Sequence, residues 1–141
     1  MPPVVPVTRT VAFNAHGGRL SVQLLASHAL PGHYSLTLLA PDGFTIIKDW
    51  GNLAFSSPAL NTHDLPGPAS EQNKRFLQAV TSVGIVDPDG TFAVSMTVMQ
   101  DGAPLSESVS DVGTTTELTA ESELNGILST PPAAQPARAS L

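Results

Sequence analysis

Apolar and polar residues alternate in short runs along most of this chain, and the period is two rather than 3.6. Leu20, Val22 and Leu24 stand opposite Ser21 and Gln23, and Tyr34, Leu36 and Leu38 stand opposite Ser35 and Thr37. Phe92, Val94, Met96 and Val98 alternate with Ala93, Ser95, Thr97 and Met99. Such alternation predicts half-buried β-strands, because successive side chains leave a strand on opposite faces. Strands are expected at 7–13, 19–25, 34–40, 44–50, 92–99, 104–109 and 114–119.

Turn chemistry falls between the runs. Pro41-Asp42-Gly43 separates 34–40 from 44–50, and Asp101-Gly102 follows 92–99. Each combines a glycine able to take positive φ with an aspartate able to bond the backbone two residues on, so each predicts a hairpin. Asp87-Pro88-Asp89-Gly90 reads the same way, as a turn before the strand at 92–99.

Two segments depart from the pattern. Over 69–80, Ser70 could cap a short helix carrying Phe76, Leu77 and Val80. The β-branched content favours the alternative, a strand over 75–85. Over 120–130, Leu124, Ile127 and Leu128 fall at i, i+3 and i+4, and this stretch is expected to be a short docking segment.

The resulting expectation is an all-β domain at 7–119: an antiparallel β-sandwich, immunoglobulin-like or jelly-roll, of about eight strands with at most one short helix. Residues 1–6, with three prolines, read as an extended N-terminal arm. Residues 131–141, rich in proline and alanine, read as a disordered tail. At 141 residues the chain fits one domain.

Composition narrows the function classes. The net charge is −6, and the six basic residues are mostly dispersed, which disfavours nucleic acid and anionic membrane surfaces. Cysteine is absent, so disulfides, thiolate metal sites and cysteine nucleophiles are excluded together. No run approaches the ~20 apolar residues of a membrane-spanning helix. The start of the chain lacks the pattern of a classical signal peptide. The low-charge, Ser/Thr-rich surface slightly favours an exported or particle-surface module over a cytoplasmic one.

Candidate chemistry is sparse. His28, His33 and His63 fall in expected loops and could meet near Asp64 and Asp101 if the strands run suitably. None of them has the i, i+2 or i, i+4 spacing that aims two imidazoles at one ion. No Gly-x-Ser-x-Gly elbow is present, and Gly17-Gly18 lacks the Lys-Ser/Thr partner of a phosphate loop. Asp87-Pro88-Asp89-Gly90 matches part of a calcium loop but lacks its bidentate glutamate. Trp50 and Tyr34 are the only Trp and Tyr, too few for a broad sugar-stacking platform.

The connection over 56–72 is the more informative feature. It is long for a compact β domain, and Leu65-Pro66-Gly67-Pro68 gives it a defined shape. The sequence therefore points to a non-enzymatic protein-binding, adaptor or assembly module that acts through this loop and its strand edges. Trp50, His63, Asp64, Leu65, Pro66 and Pro68 are the candidate contacts. A protein partner or self-association is expected, with no cofactor. A carbohydrate-binding, lectin-like module is the alternative, and a small metal-dependent enzyme a lesser one.

Overall fold

In the computed structural model of the chain, described over residues 5–27, 29–55, 61–105 and 108–130, ten strands form two facing sheets. They are β1 (Val7–Ala12), β2 (Leu20–Ser27), β3 (Ala29–Leu39), β4 (Ile46–Ala54), β5 (Thr62–Asp64), β6 (Phe76–Ile85), β7 (Thr91–Gln100), β8 (Ala103–Pro104), β9 (Val109–Thr114) and β10 (Thr119–Ser129). The first sheet has the order β1-β10-β6-β3-β4. The second has β5-β2-β7-β8, with β9 also paired to β7. All neighbours are antiparallel except β1 and β10, which run parallel from Val7↔Leu124 to Ala12↔Ser129. The protein is an all-β sandwich, as the alternation predicts.

The alternation also sets the core. Leu20, Val22 and Leu24 from β2 and Val94, Met96 and Val98 from β7 point inward. They meet Tyr34, Leu36 and Leu38 of β3, Leu77, Ala79 and Val83 of β6, and Leu124 and Leu128 of β10. Burying each of these larger side chains stabilises the fold by about 1.5–3 kcal/mol before chain entropy is set against it.

The stretch over 75–85 is a strand, and the helical alternative shrinks to one 3-10 turn at Ala69–Glu71. The segment over 120–130 is no separate docking element. It is β10, held between β1 and β6 and buried at Ala120, Ser122, Leu124, Gly126 and Leu128. Its period of two is hard to see because Ser122 and Gly126 occupy inward positions, leaving Leu124, Ile127 and Leu128 to imitate a helical stripe. The strand expected at 114–119 is instead the connection from β9 to β10, where Thr115 donates its amide to the Gly90 carbonyl at 3.0 Å. Of the strand expected at 104–109, Pro104 falls at the end of β8 and Val109 at the start of β9, with 106–107 outside the described residues. Residues 1–4 of the arm expected at 1–6 and the tail at 131–141 lie outside the described residues, as do 56–60 of the long connection.

Among the described residues, a side-chain hydrogen bond joins the sheets at each open margin of the sandwich. On the β4/β5 side the Tyr34 hydroxyl meets His63 Nε2 at 2.7 Å. On the β9/β10 side Ser122 Oγ donates to Asp111 Oδ2 at 2.7 Å. Thr81 lies in register between Tyr34 and Ser122, and its buried hydroxyl has no partner among the described residues.

Candidate functional site

The long connection is built into the sandwich. Thr62–Asp64 adds β5 to the edge of β2, placing His63 opposite Val22 on the inward face and Asp64 opposite Ser21 on the outward face. Leu65 is fully buried and donates its amide to the Leu20 carbonyl at 2.9 Å. The following turn is held from within by Gln72, itself fully buried. Its Nε2 donates to the Pro66 carbonyl at 2.6 Å and the Pro68 carbonyl at 3.4 Å, and its Oε1 accepts from Arg75 Nη1 at 3.1 Å. The prolines shape this turn by fixing φ, which is −74° at Pro68.

Around His63 an aromatic cluster closes the β4/β5 margin. The Tyr34 ring is 4.9 Å from Phe55 and 6.0 Å from His63, and the Trp50 ring is 6.1 Å from His63, all tilted. Trp50 is half-buried against the core, with Lys48 Nζ 5.9 Å from its ring centroid at the rim. Burial pushes the His63 pKa below the usual 6.5 and the Tyr34 pKa above the usual 10.0. At neutral pH the pair is therefore an uncharged phenol on an uncharged imidazole, a latch between sheets.

Trp50 and His63 are thus brought together, with Leu65 beneath the same strand as core. Asp64 and Pro68 are exposed and Pro66 is half-buried. His33 is exposed on the outer face of β3, the face opposite Tyr34. Asp101 lies in the β7–β8 turn, where Oδ1 accepts the Gly18 amide at 3.1 Å. Neither shares the inward position of His63, and His28 lies outside the described residues. Among the described residues no three His, Asp or Glu side chains are grouped to hold a metal ion. At Asp87-Pro88-Asp89-Gly90 an open depression of about 420 Å³ borders Thr115 and Glu117. The Asp89 carboxylate there accepts the Thr91 amide at 3.1 Å, as turn geometry requires.

A second feature escapes period-two reading because it runs across the strands. Register places Ile127, Phe76, Leu39 and Ile46 side by side on β10, β6, β3 and β4, with Thr10 of β1 at the end. All four apolar residues lie on the outer face, away from the core. Leu39, Phe76 and Ile127 are half-buried, Ile46 is 59% exposed, and Phe44, in the adjoining turn, is 87% exposed. The row above it is polar: Asn125, Gln78, Thr37 and Asp49. Only strand pairing brings these residues together, and no local spacing in the sequence signals it.

Comparison with protein-family models, curated proteins and solved structures finds no match to this chain.

Proposed function

We propose that this protein is a non-enzymatic protein-binding or assembly module. The observation that carries this reading is the apolar row across the outer face of β10, β6, β3 and β4, with the exposed Phe44 in the turn that leads into β4. Contiguous apolar surface of this kind on a soluble domain marks an interaction site more often than isolated exposed residues do. The strand edges are unequal in this role. β4 is blunted by two register shifts and by Lys48 and Asp49, and β5 is only three residues long. β1 is regular over six residues and is the better template for strand addition. The carbohydrate-binding alternative draws less support, since Trp50 packs into the β4/β5 margin instead of standing free as a platform.

The test is affinity capture from the native source with wild type and a Phe44→Ser/Ile46→Ser variant, alongside sedimentation of both. A partner, or a dimer, present with wild type and lost with the variant is the expected result. A wild-type chain that sediments as a monomer and retains no protein refutes the reading.

A further inference from the structure

Resting on that reading, we infer that the apolar row on the outer face of the first sheet receives an amphipathic helix of a partner protein, with its basic flank over Asp49 and Glu123. The spacing is the first argument. Neighbouring strands lie about 4.8 Å apart, so Ile127, Phe76, Leu39 and Ile46 form a line roughly 14 Å long perpendicular to the strands. A helix advances 5.4 Å per turn, and apolar residues at i, i+4, i+7 and i+11 span about 16 Å. A helix laid along the row therefore presents one anchor to each strand. An added strand would run at right angles to the row and meet only one of these residues.

Charge is the second argument. Asp49 stands one register row from the apolar line and Glu123 two, both on the same side of it. Glu123 is held on the face by Asn125 Nδ2 at 2.9 Å and Gln78 Nε2 at 3.5 Å. Glu121 extends the acidic side, and Lys74, exposed just before β6, lies on the opposite side of the row. A second copy of this chain, itself at −6, would bring carboxylates toward carboxylates. A helix with Lys or Arg along one flank meets the acidic side, and an acidic residue on its other flank meets Lys74.

The probe is a fluorescent 15-residue Leu/Lys peptide with leucine at i, i+4, i+7 and i+11, read by anisotropy and circular dichroism. Controls are a scrambled peptide of the same composition and a Leu/Glu version. Expected are helix formation on binding, at least tenfold weaker affinity for Phe76→Ser and Ile46→Ser, and no change for Val112→Ser on the outer face of the other sheet. Glu121→Lys/Glu123→Lys should reverse the preference toward the Leu/Glu peptide. Both variant sets are first shown to retain the wild-type β signal and melting transition. Equal binding of the scrambled peptide, or equal loss with Val112→Ser, overturns the inference. So does a concentration-dependent dimer abolished by Ile46→Ser, because the occupant is then a second copy. If the native source yields a partner that the Phe76→Ser variant still retains, this inference fails while the binding-module reading stands. If wild type retains nothing, that reading fails as well.

Discussion

Gln72→Leu offers the sharpest test of how the long connection is held. The amide is fully buried and supplies the only donor described for the Pro66 carbonyl, at 2.6 Å. Leucine fills the space but donates nothing. The Pro68 carbonyl keeps the Glu71 amide at 3.1 Å, and Arg75, half-buried, can turn to water. The main loss is one hydrogen bond of about 1 kcal/mol and one stranded carbonyl costing about 1–3 kcal/mol, partly offset by the added apolar burial. The net expectation is a destabilisation of about 2–3 kcal/mol, or roughly 6–12 °C in melting temperature for a chain of this size. Urea unfolding should show a lower midpoint with unchanged slope. Hydrogen exchange should accelerate first at the Leu65 amide, which otherwise bonds the Leu20 carbonyl. A midpoint within about 0.5 kcal/mol of wild type refutes the hub role of Gln72. A loss of stability with Leu65 still as protected as in wild type would instead place the damage elsewhere.

Thr81→Val removes a buried hydroxyl that has no partner among the described residues, and should stabilise the protein by up to about 1 kcal/mol in thermal or chemical unfolding. A loss of more than 1 kcal/mol would mean that the hydroxyl is in fact bonded. His63 has a folded-state pKa below its unfolded 6.5, so the unfolded chain takes up the proton first. Its contribution is whole above pH 6.5 and declines as pH falls toward the folded pKa. His63→Phe should flatten that part of the stability-pH curve, and an unchanged slope contradicts the latch. Gly90→Ala combines a φ of +78° with a Cβ placed inside contact distance of the Thr115 carbonyl, whereas at Gly43 the same φ meets open space. Melting curves should therefore show Gly90→Ala costing several kcal/mol and Gly43→Ala about 1 kcal/mol; equal costs would disprove the close approach.

Legibility in the sequence followed the range of the forces involved. The alternation in β2, β3 and β7 reports a face buried locally, and Asp42 reports its turn, accepting the Phe44 and Thr45 amides at 2.8 Å. β10 does not show its period in the sequence because its inward set includes serine and glycine, set by what faces them across the sandwich: Ser122 by Asp111, and Gly126 by the Met96 and Val109 side chains. His63 and Leu65 are expected as contacts in the long connection and Trp50 at the end of a strand, yet Leu65 belongs to the core and the two rings close a margin. Nothing local to Pro66 or Pro68 reveals that a glutamine several residues on will seize their carbonyls. The apolar row is the extreme case, four residues drawn from positions 39, 46, 76 and 127 by register alone.

The parallel pairing of β1 with β10 has a mechanical consequence. A pull applied between Val5 and Thr130 draws β1 backward and β10 forward along their common axis. The load falls on the hydrogen bonds from Val7 to Ala12 in shear, all together, instead of opening them one at a time. Rupture should then require the whole six-residue ladder to slip at once, so the barrier to forced unfolding is set by this one pair. Stretched from its ends in a single-molecule trap, the domain should hold well above the force that peels an antiparallel hairpin. Strung between two neighbours, the chain would carry tension along that seam while β6 and β3 stayed at rest.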